Sequence, residues 1–441
     1  MWMEHLNFCL PMELALTTDL MTHRPTSTEC VEVNGRSYAL PAQPVVVICL
    51  DGFDPEYLTQ GIADGVLPTI AGFQTTGYIG MATSAMPTTT NTNNTSIVTG
   101  VPPSVHGING NYYLDQDTGE EIMITDAARL RCGTIFAAMN QAGVRTATVT
   151  AKDKLLKVLA HEMDGIAFSA QNADEADLSA FGFADGEMLV GRGKPDQYSA
   201  DLSLYVLEAG LKILQTHRPG MLYLSTSDYV QHKFAPGSAD ANDFHRKVDQ
   251  YVAAMIACGA IVALTADHGM APKSDSEGRP NVTFVQDALE DEFGVGIVRV
   301  ICPIADPFVK HHGALGGFVR VHLLRQGNVP AMMEFVRGLP GVELVLDREA
   351  VCQRFDLPFD REGDFAVLAG REGVLGARRI DHDLSNLEGH LLRSHGGLGE
   401  QKVPFVISRP LDPDYQANTE KKGLRNFDII DAVLNGLQKA D

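Results

Sequence analysis

Short, wholly apolar runs alternate along this chain with longer mixed segments, as expected of buried parallel strands separated by covering helices. Val45, Val46, Val47, Ile48, Cys49 and Leu50 form an unbroken β-branched-rich run that stops at Asp51-Gly52. The figure returns at Met221 to Ser225, ahead of Asp228, and at Ala260 to Ala266, ahead of Asp267-His268. Thr146 to Val149 is a further run and leads to Lys152 and Lys154. Each run thus predicts a strand that brings charge to its carboxyl end, where open α/β sheets keep their sites. Ser199 to Thr216 reads as a helix before the strand at Met221, and strands and helices alternate from Arg36 to about Val295. The expectation is an α/β fold with a doubly wound sheet.

The pattern then changes. Gly317 to Leu324, Val329 to Arg337, Gly341 to Leu346, Arg348 to Phe355 and Asp364 to Ala369 read strand, helix, strand, helix, strand. They predict a smaller inserted α+β cap domain over residues 296–384, with the core formed by 29–295 and 385–441. Such a cap can screen water and select leaving groups. Residues 1–28 carry no clear pattern and read as a disordered tail, with Met21 as an alternative start.

The charged strand ends define the candidate chemistry. Asp228 and His232 are four apart, which puts both on one helical face or one tight turn. His395 precedes Gly396-Gly397, a pair that lets backbone approach a crowded site. A lone aspartate at a strand end is ordinarily a helix cap. Three of them with matching histidines are better explained as metal ligands, with Asp51, Asp267 and His268 on one ion and Asp228, His232 and His395 on the other. Carboxylate and imidazole without a CxxC pair favour two zinc ions, with manganese or iron compatible by ligand type. Two metals about 4 Å apart clamp an in-line displacement at phosphorus.

These residues resemble the alkaline phosphatase superfamily of metallohydrolases, in the branch that holds nucleotide pyrophosphatase/phosphodiesterases and phosphonoacetate hydrolases. The motifs are Ile48-Cys49-Leu50-Asp51-Gly52, Met86-Pro87-Thr88-Thr89-Thr90-Asn91, Pro102-Pro103-Ser104-Val105-His106-Gly107-Ile108, Ser227-Asp228-Tyr229-Val230-Gln231-His232, Thr265-Ala266-Asp267-His268-Gly269-Met270 and Ser394-His395-Gly396-Gly397, over residues 44–435. The resemblance implies an alkaline-phosphatase-like core, a nucleophile and metal ligand at Thr90, and substrate contacts at Asn111, Lys152, Lys154 and His232. It implies hydrolysis of the carbon–phosphorus bond of phosphonoacetate to acetate and phosphate. Lys152 and Lys154, two apart, point the same way if that segment is extended. Two dications against Asp51, Asp228 and Asp267 leave a local charge of about +1, and the lysines raise it to about +3, which suits a small anionic phosphonate. A phosphodiesterase or nucleotide pyrophosphatase on the same core would instead need an aromatic slot, for which Tyr112 and Tyr113 are candidates. A metal-stabilised binding protein without turnover is the third alternative.

Composition narrows the partners. The net charge of −21 disfavours nucleic acid and anionic membrane, and no apolar run reaches the roughly 18 residues of a span. No secretory signal is evident near Glu4 and Glu13. Seven cysteines in no paired spacing suit a reducing cytoplasm. A homodimer is compatible with these features. Sequons at Asn93, Asn94 and Asn281 read as chance matches. His106 reads as structural in its turn, and His311, His312 and His382 as loop histidines. Gly191-Arg192-Gly193 lacks the spacing of a dinucleotide loop.

Overall fold

The computed structural model describes residues 30–305, 313–387 and 390–439. The expected tail at 1–28 and the His311-His312 pair fall outside them. A seven-stranded sheet forms the core. In spatial order its strands are Tyr78–Thr83, Lys402–Ile407, Ile261–Thr265, Val45–Cys49, Met221–Ser225, Thr146–Thr150 and Ile166–Ser169. The last five run parallel, whereas Lys402–Ile407 is antiparallel to both of its neighbours. The sheet is therefore mixed. Pro404 fits within it because pairing with Ile261–Thr265 begins only at Phe405, so its missing N–H breaks no ladder on that side.

Register explains why the charged ends meet. Cys49 lies opposite Ser225 and Thr265, and Thr150 opposite Ser225. Four adjacent strands thus finish level, and the next residues of each chain segment emerge at one edge. Every residue of Val45–Cys49, Met221–Ser225 and Ile261–Thr265 is buried, each large aliphatic side chain contributing about 1.5–3 kcal/mol. Helices Ala200–Thr216 and Ala239–Ala257 cover the sheet. Ser199 and Ser238 cap them by accepting from Leu202 N at 3.3 Å and Ala241 N at 3.4 Å.

A second, wholly antiparallel sheet has the order Val298–Ile301, Phe318–Leu323, Phe365–Ala369, Val342–Asp347. Its elements follow the strand–helix alternation expected from residue 317 onward. One face packs Val319, Val321, Phe365 and Val367 against helix Val329–Arg337 and against Val285 and Leu289 of helix Val285–Phe293. The other packs Phe318 and Leu368 against Val351 and Phe355 of helix Arg348–Phe355, and also against Met86. Met86 leads directly into the threonine run, so the second sheet touches the segment that carries Thr90. No helix among the described residues is long and apolar enough to cross a membrane. The six described cysteines are all unpaired.

Candidate metal centre and active site

Six side chains converge at the level strand ends, in two groups whose ligand atoms lie within 4.8 Å of one another: Asp51, Asp267 and His268, and Asp228, His232 and His395. All six are buried. Asp51 follows its strand and is succeeded by Gly52, whose φ of +71° favours glycine and where an added Cβ would sit tightly, 3.2 Å from Gln231 Cβ and 3.3 Å from Asp228 Cβ. Asp228 precedes the short helix Tyr229–Lys233, whose turn returns His232 Nε2 to 3.0 Å from Asp228 Oδ2. His395 Nε2 lies 3.7 Å from the same oxygen. In the other group, His268 Nε2 is 3.2 Å from Asp51 Oδ1 and 3.7 Å from Asp267 Oδ2.

Each imidazole is fixed through its other nitrogen. Nδ1 of His232 meets Arg393 O at 2.8 Å, that of His268 meets Gly269 O at 2.9 Å, and that of His395 meets Thr88 O at 2.6 Å. A carbonyl can only accept, so Nδ1 carries the proton in each ring and Nε2 is the nitrogen turned to the carboxylates. This is the orientation metal-ligating histidines require.

The charge balance also fits divalent cations. Burial and the charges of Asp228 and Asp267 push the Asp51 carboxyl up to about 7. Burial opposes protonation of His268, yet Asp267 and Asp51 outweigh it and hold that ring at about 9. The His268 shift, which runs against burial, reports the negative charge of the surrounding carboxylates. Neither oxygen of Asp51 makes a hydrogen bond of good geometry among the described residues. Burial and the other two histidines push His395 well below its usual range.

Thr90 opens the helix Thr90–Thr99, and its Oγ1 lies 3.5 Å from His268 Nε2. All ten residues of that helix are buried despite their polarity. Two of its asparagines are held by buried partners: Asn93 accepts from Ala85 N at 2.7 Å, and Asn94 donates to Asp267 Oδ2 at 3.2 Å while accepting from Tyr223 OH at 2.8 Å. Asn93 and Asn94 are accordingly closed to glycosylation. Asn94 and Tyr223 are supporting residues that sequence reasoning missed. A polar residue in a helix and a tyrosine in an apolar strand gave no local sign of their pairing.

Lys152 Nζ lies 3.0 Å from Asp228 Oδ1 and 3.6 Å from Asp51 Oδ2, between the two groups. Burial opposes its charge, but Asp228 and Asp51 raise its pKa. Lys154 is buried beside it, and burial followed by the Lys152 charge pushes it well below its usual range. The segment is not extended as expected. Lys152 precedes helix Asp153–Leu159 and Lys154 lies in its first turn, because Asp153 begins the helix directly after the strand end. Asn111 is held by its N–H on Pro303 O at 2.8 Å and its side-chain amide on Ile304 O at 3.2 Å.

The remaining candidates have structural partners. His106 Nδ1 accepts from Ile108 N at 3.0 Å and its Nε2 meets Ser96 Oγ at 2.8 Å. His382 accepts from Ala377 N at 2.9 Å. Arg192 forks onto Asp201 at 2.8 and 2.9 Å, so its Gly-Arg-Gly stretch is a salt-bridged turn. Tyr113 is buried against Ile108 and Ile124, and the Tyr112 hydroxyl is committed to Glu121. Tyr113 is thus closed to a base, and Tyr112 is half-buried.

The family model for type I phosphodiesterase / nucleotide pyrophosphatase matches residues 45–299, more than half of the chain, and the chain belongs to this family of hydrolases. It is similar to phosphonoacetate hydrolase from Sinorhizobium meliloti 1021, solved in complex with phosphonoacetate and with phosphonoformate. The identity is 43% and the TM-score 0.86, over 92% of this chain and 98% of that one. Murine ectonucleotide pyrophosphatase / phosphodiesterase 5 shares the fold, at 17% identity and a TM-score of 0.59 over 90% of this chain and 96% of that one. A 41-residue stretch is 56% identical to phosphonoacetate hydrolase of Penicillium oxalicum, covering 9% of this chain and 57% of that protein. A 242-residue stretch is 25% identical to a pyrophosphatase/phosphodiesterase of Schizosaccharomyces pombe, covering 53% of this chain and 46% of that protein. The chain spans about half the length of these two curated relatives. The alkaline-phosphatase-like fold expected from the motifs is the fold of this chain.

Proposed function

We propose that this protein hydrolyses the carbon–phosphorus bond of phosphonoacetate, with Thr90 as nucleophile and two divalent zinc ions as cofactors. The observation that carries the reading is the placing of Lys152 Nζ between the two ligand groups, 3.0 Å from Asp228 Oδ1, with Lys154 buried at the same edge. A diester hydrolase has no need of that cation, whereas a substrate with a carboxylate next to the breaking bond does. The similarity to a hydrolase solved with phosphonoacetate supports the same assignment.

Asp51, Asp267 and His268 would hold one ion, with Thr90 as a further ligand, and Asp228, His232 and His395 the other. When bound, these ions supply the positive charge that makes a nearby hydroxyl acidic near neutral pH and that offsets charge on the phosphoryl oxygens. Thr90 Oγ1 attacks phosphorus in line, and the carbon–phosphorus bond breaks with its electron pair passing to carbon. Carbon is a poor leaving group unless that charge spreads into the neighbouring carboxylate, which the Lys152 cation offsets with Lys154 beside it as a further N–H donor. The carbanion takes a proton from water and leaves as acetate. Water then cleaves the phosphothreonine, releasing phosphate and restoring Thr90. Asn111 and the first amides of helix Thr90–Thr99 hold phosphoryl oxygens in both steps, whereas His232, whose Nδ1 is taken by Arg393 O, would border the substrate as a ligand of the ion.

We further assign residues 29–295 and 385–441 to the core and 296–384 to a cap, with helix Val285–Phe293 packed on the cap sheet. Its separate apolar core supports this division. Incubating the zinc-loaded protein with phosphonoacetate and with a nitrophenyl phosphodiester tests the function. Acetate and phosphate in equal amounts, with slow ester cleavage, is expected. Rapid ester cleavage without acetate would assign it as a phosphodiesterase, and no product from either would assign a binding role.

A further inference from the structure

The second sheet reaches the proposed site through one wholly buried ion pair. Arg320 occupies the middle of strand Phe318–Leu323, paired to strands on both sides, and both Arg320 and Glu362 are fully buried. Arg320 Nε donates to Glu362 Oε2 at 2.7 Å and Nη2 to Glu362 Oε1 at 2.7 Å, a bidentate fork. The same Nη2 donates to the carbonyl of Asn109 at 2.7 Å. Asn109 replies with its side chain: Nδ2 donates to Glu362 Oε1 at 2.8 Å and to Arg361 O at 2.9 Å. Three residues from two distant parts of the chain are thus closed into one ring of bonds.

Two residues beyond Asn109 stands Asn111. Between them, a Cβ on Gly110 would sit 2.7 Å from Pro303 Cβ, so the turn is pressed against the segment that follows strand Val298–Ile301. Asn111 donates its N–H to Pro303 O and accepts from Ile124 N, each at 2.8 Å. The turn is therefore clamped at both ends, at Asn109 by charge and at Asn111 by backbone.

A buried ion pair is poor value as a source of stability, because desolvating both charges consumes most of the attraction, and apolar residues of similar volume commonly do as well. Its directional bonds do something apolar packing does not: they fix where a backbone lies to within a few tenths of an ångström. We infer that Arg320 and Glu362 are positioning residues that hold the Asn109-Gly110-Asn111 turn so that Asn111 meets the phosphoryl oxygens. The inference rests on the proposed role of Asn111. It makes the second sheet part of the catalytic alignment as well as a cover.

The experiment is a double-mutant cycle. Arg320→Met with Glu362→Leu replaces the pair by apolar side chains without leaving a buried charge. With phosphonoacetate as substrate, this protein should keep its zinc content and a melting temperature close to the parent's, yet lose at least tenfold in kcat. In an Asn111→Ala background the same pair of changes should cost nothing more. Asn109→Ala, which removes the two side-chain bonds and leaves the ion pair intact, should lower kcat by a smaller factor with the same dependence on Asn111. It serves where the double replacement fails to fold. A folded double variant as active as the parent would overturn the inference, as would losses that multiply fully with Asn111→Ala. Unchanged turnover in Asn111→Ala alone would instead overturn the proposed role of Asn111, and the positioning role with it.

Discussion

The rings of His268 and His395 stack face to face, with centroids 3.5 Å apart and planes 8° from parallel, although each belongs to a different ligand group. The groups share a wall, and a change in one displaces the other. His395→Ala should therefore empty its own group and also loosen the ion held by Asp51, Asp267 and His268, with a loss in affinity of about tenfold or more. Elemental analysis and chelator titration check this. Full occupancy of the Asp51 group at parent affinity would show the two to be independent.

Thr90→Ala should reduce turnover of phosphonoacetate by roughly three orders of magnitude or more, since the attacking hydroxyl is lost with the side chain, while zinc content stays near the parent's. Thr90→Ser keeps a hydroxyl and should retain measurable turnover. Steady-state rates with metal analysis on the same samples decide the matter, and an active alanine variant would remove Thr90 from the mechanism.

Lys152→Ala should lower kcat/KM for phosphonoacetate by about a hundredfold, and leave cleavage of a nitrophenyl ester within a few fold. The ester's leaving group needs no cation, so the ratio of the two effects is the informative quantity. Equal losses on both substrates would mean that Lys152 serves the carboxylates of the metal groups, which it faces at 3.0 and 3.6 Å, and not the substrate.

Chelation should abolish activity and lower the melting temperature, because ions that bind only the folded chain stabilise it by mass action. Re-addition of zinc should restore both. A chelated protein with its rate untouched would end the two-metal reading.

Acid stability has a separate origin. Burial holds the imidazoles of His106 and His245 down at about 3, and His245 is enclosed by the rings of Phe53, Tyr57 and Phe244. The unfolded chain takes up these protons near pH 6.5 and the folded chain does not, so their contribution is intact above that pH and is lost as the pH falls toward 3. Each histidine should cost about 2 kcal/mol of stability between pH 7 and pH 5. His245→Phe keeps the aromatic packing and should remove one such increment, which urea unfolding at the two pH values measures as a difference between proteins.

Much of this site could be read from the chain because its logic is local. An apolar run followed by aspartate is visible in a few residues, and parallel pairing then brings Asp51, Asp228 and Asp267 to one level without further information. The direction of strand Lys402–Ile407 is not local: the same apolar pattern serves a strand of either polarity. Nor is the helix Thr90–Thr99, whose asparagines and threonines look like surface until the sheet and Asp267 enclose them. The lysine pair lies at the edge the sequence predicts but not in the predicted extended conformation, because helix Asp153–Leu159 begins before Lys154. Asn109, Arg320 and Glu362 have meaning only as a set, and no spacing in the sequence joins them.

Strand Lys402–Ile407 has a consequence in time. It fills the gap between Ile261–Thr265 and Tyr78–Thr83, partners that leave the ribosome long before it does. Until it arrives, two hydrogen-bonding edges stand open to any passing strand, and His395, just upstream, is also missing. Synthesis therefore leaves two strand edges open while the candidate metal centre is still one ligand short, and a single late segment closes both at once.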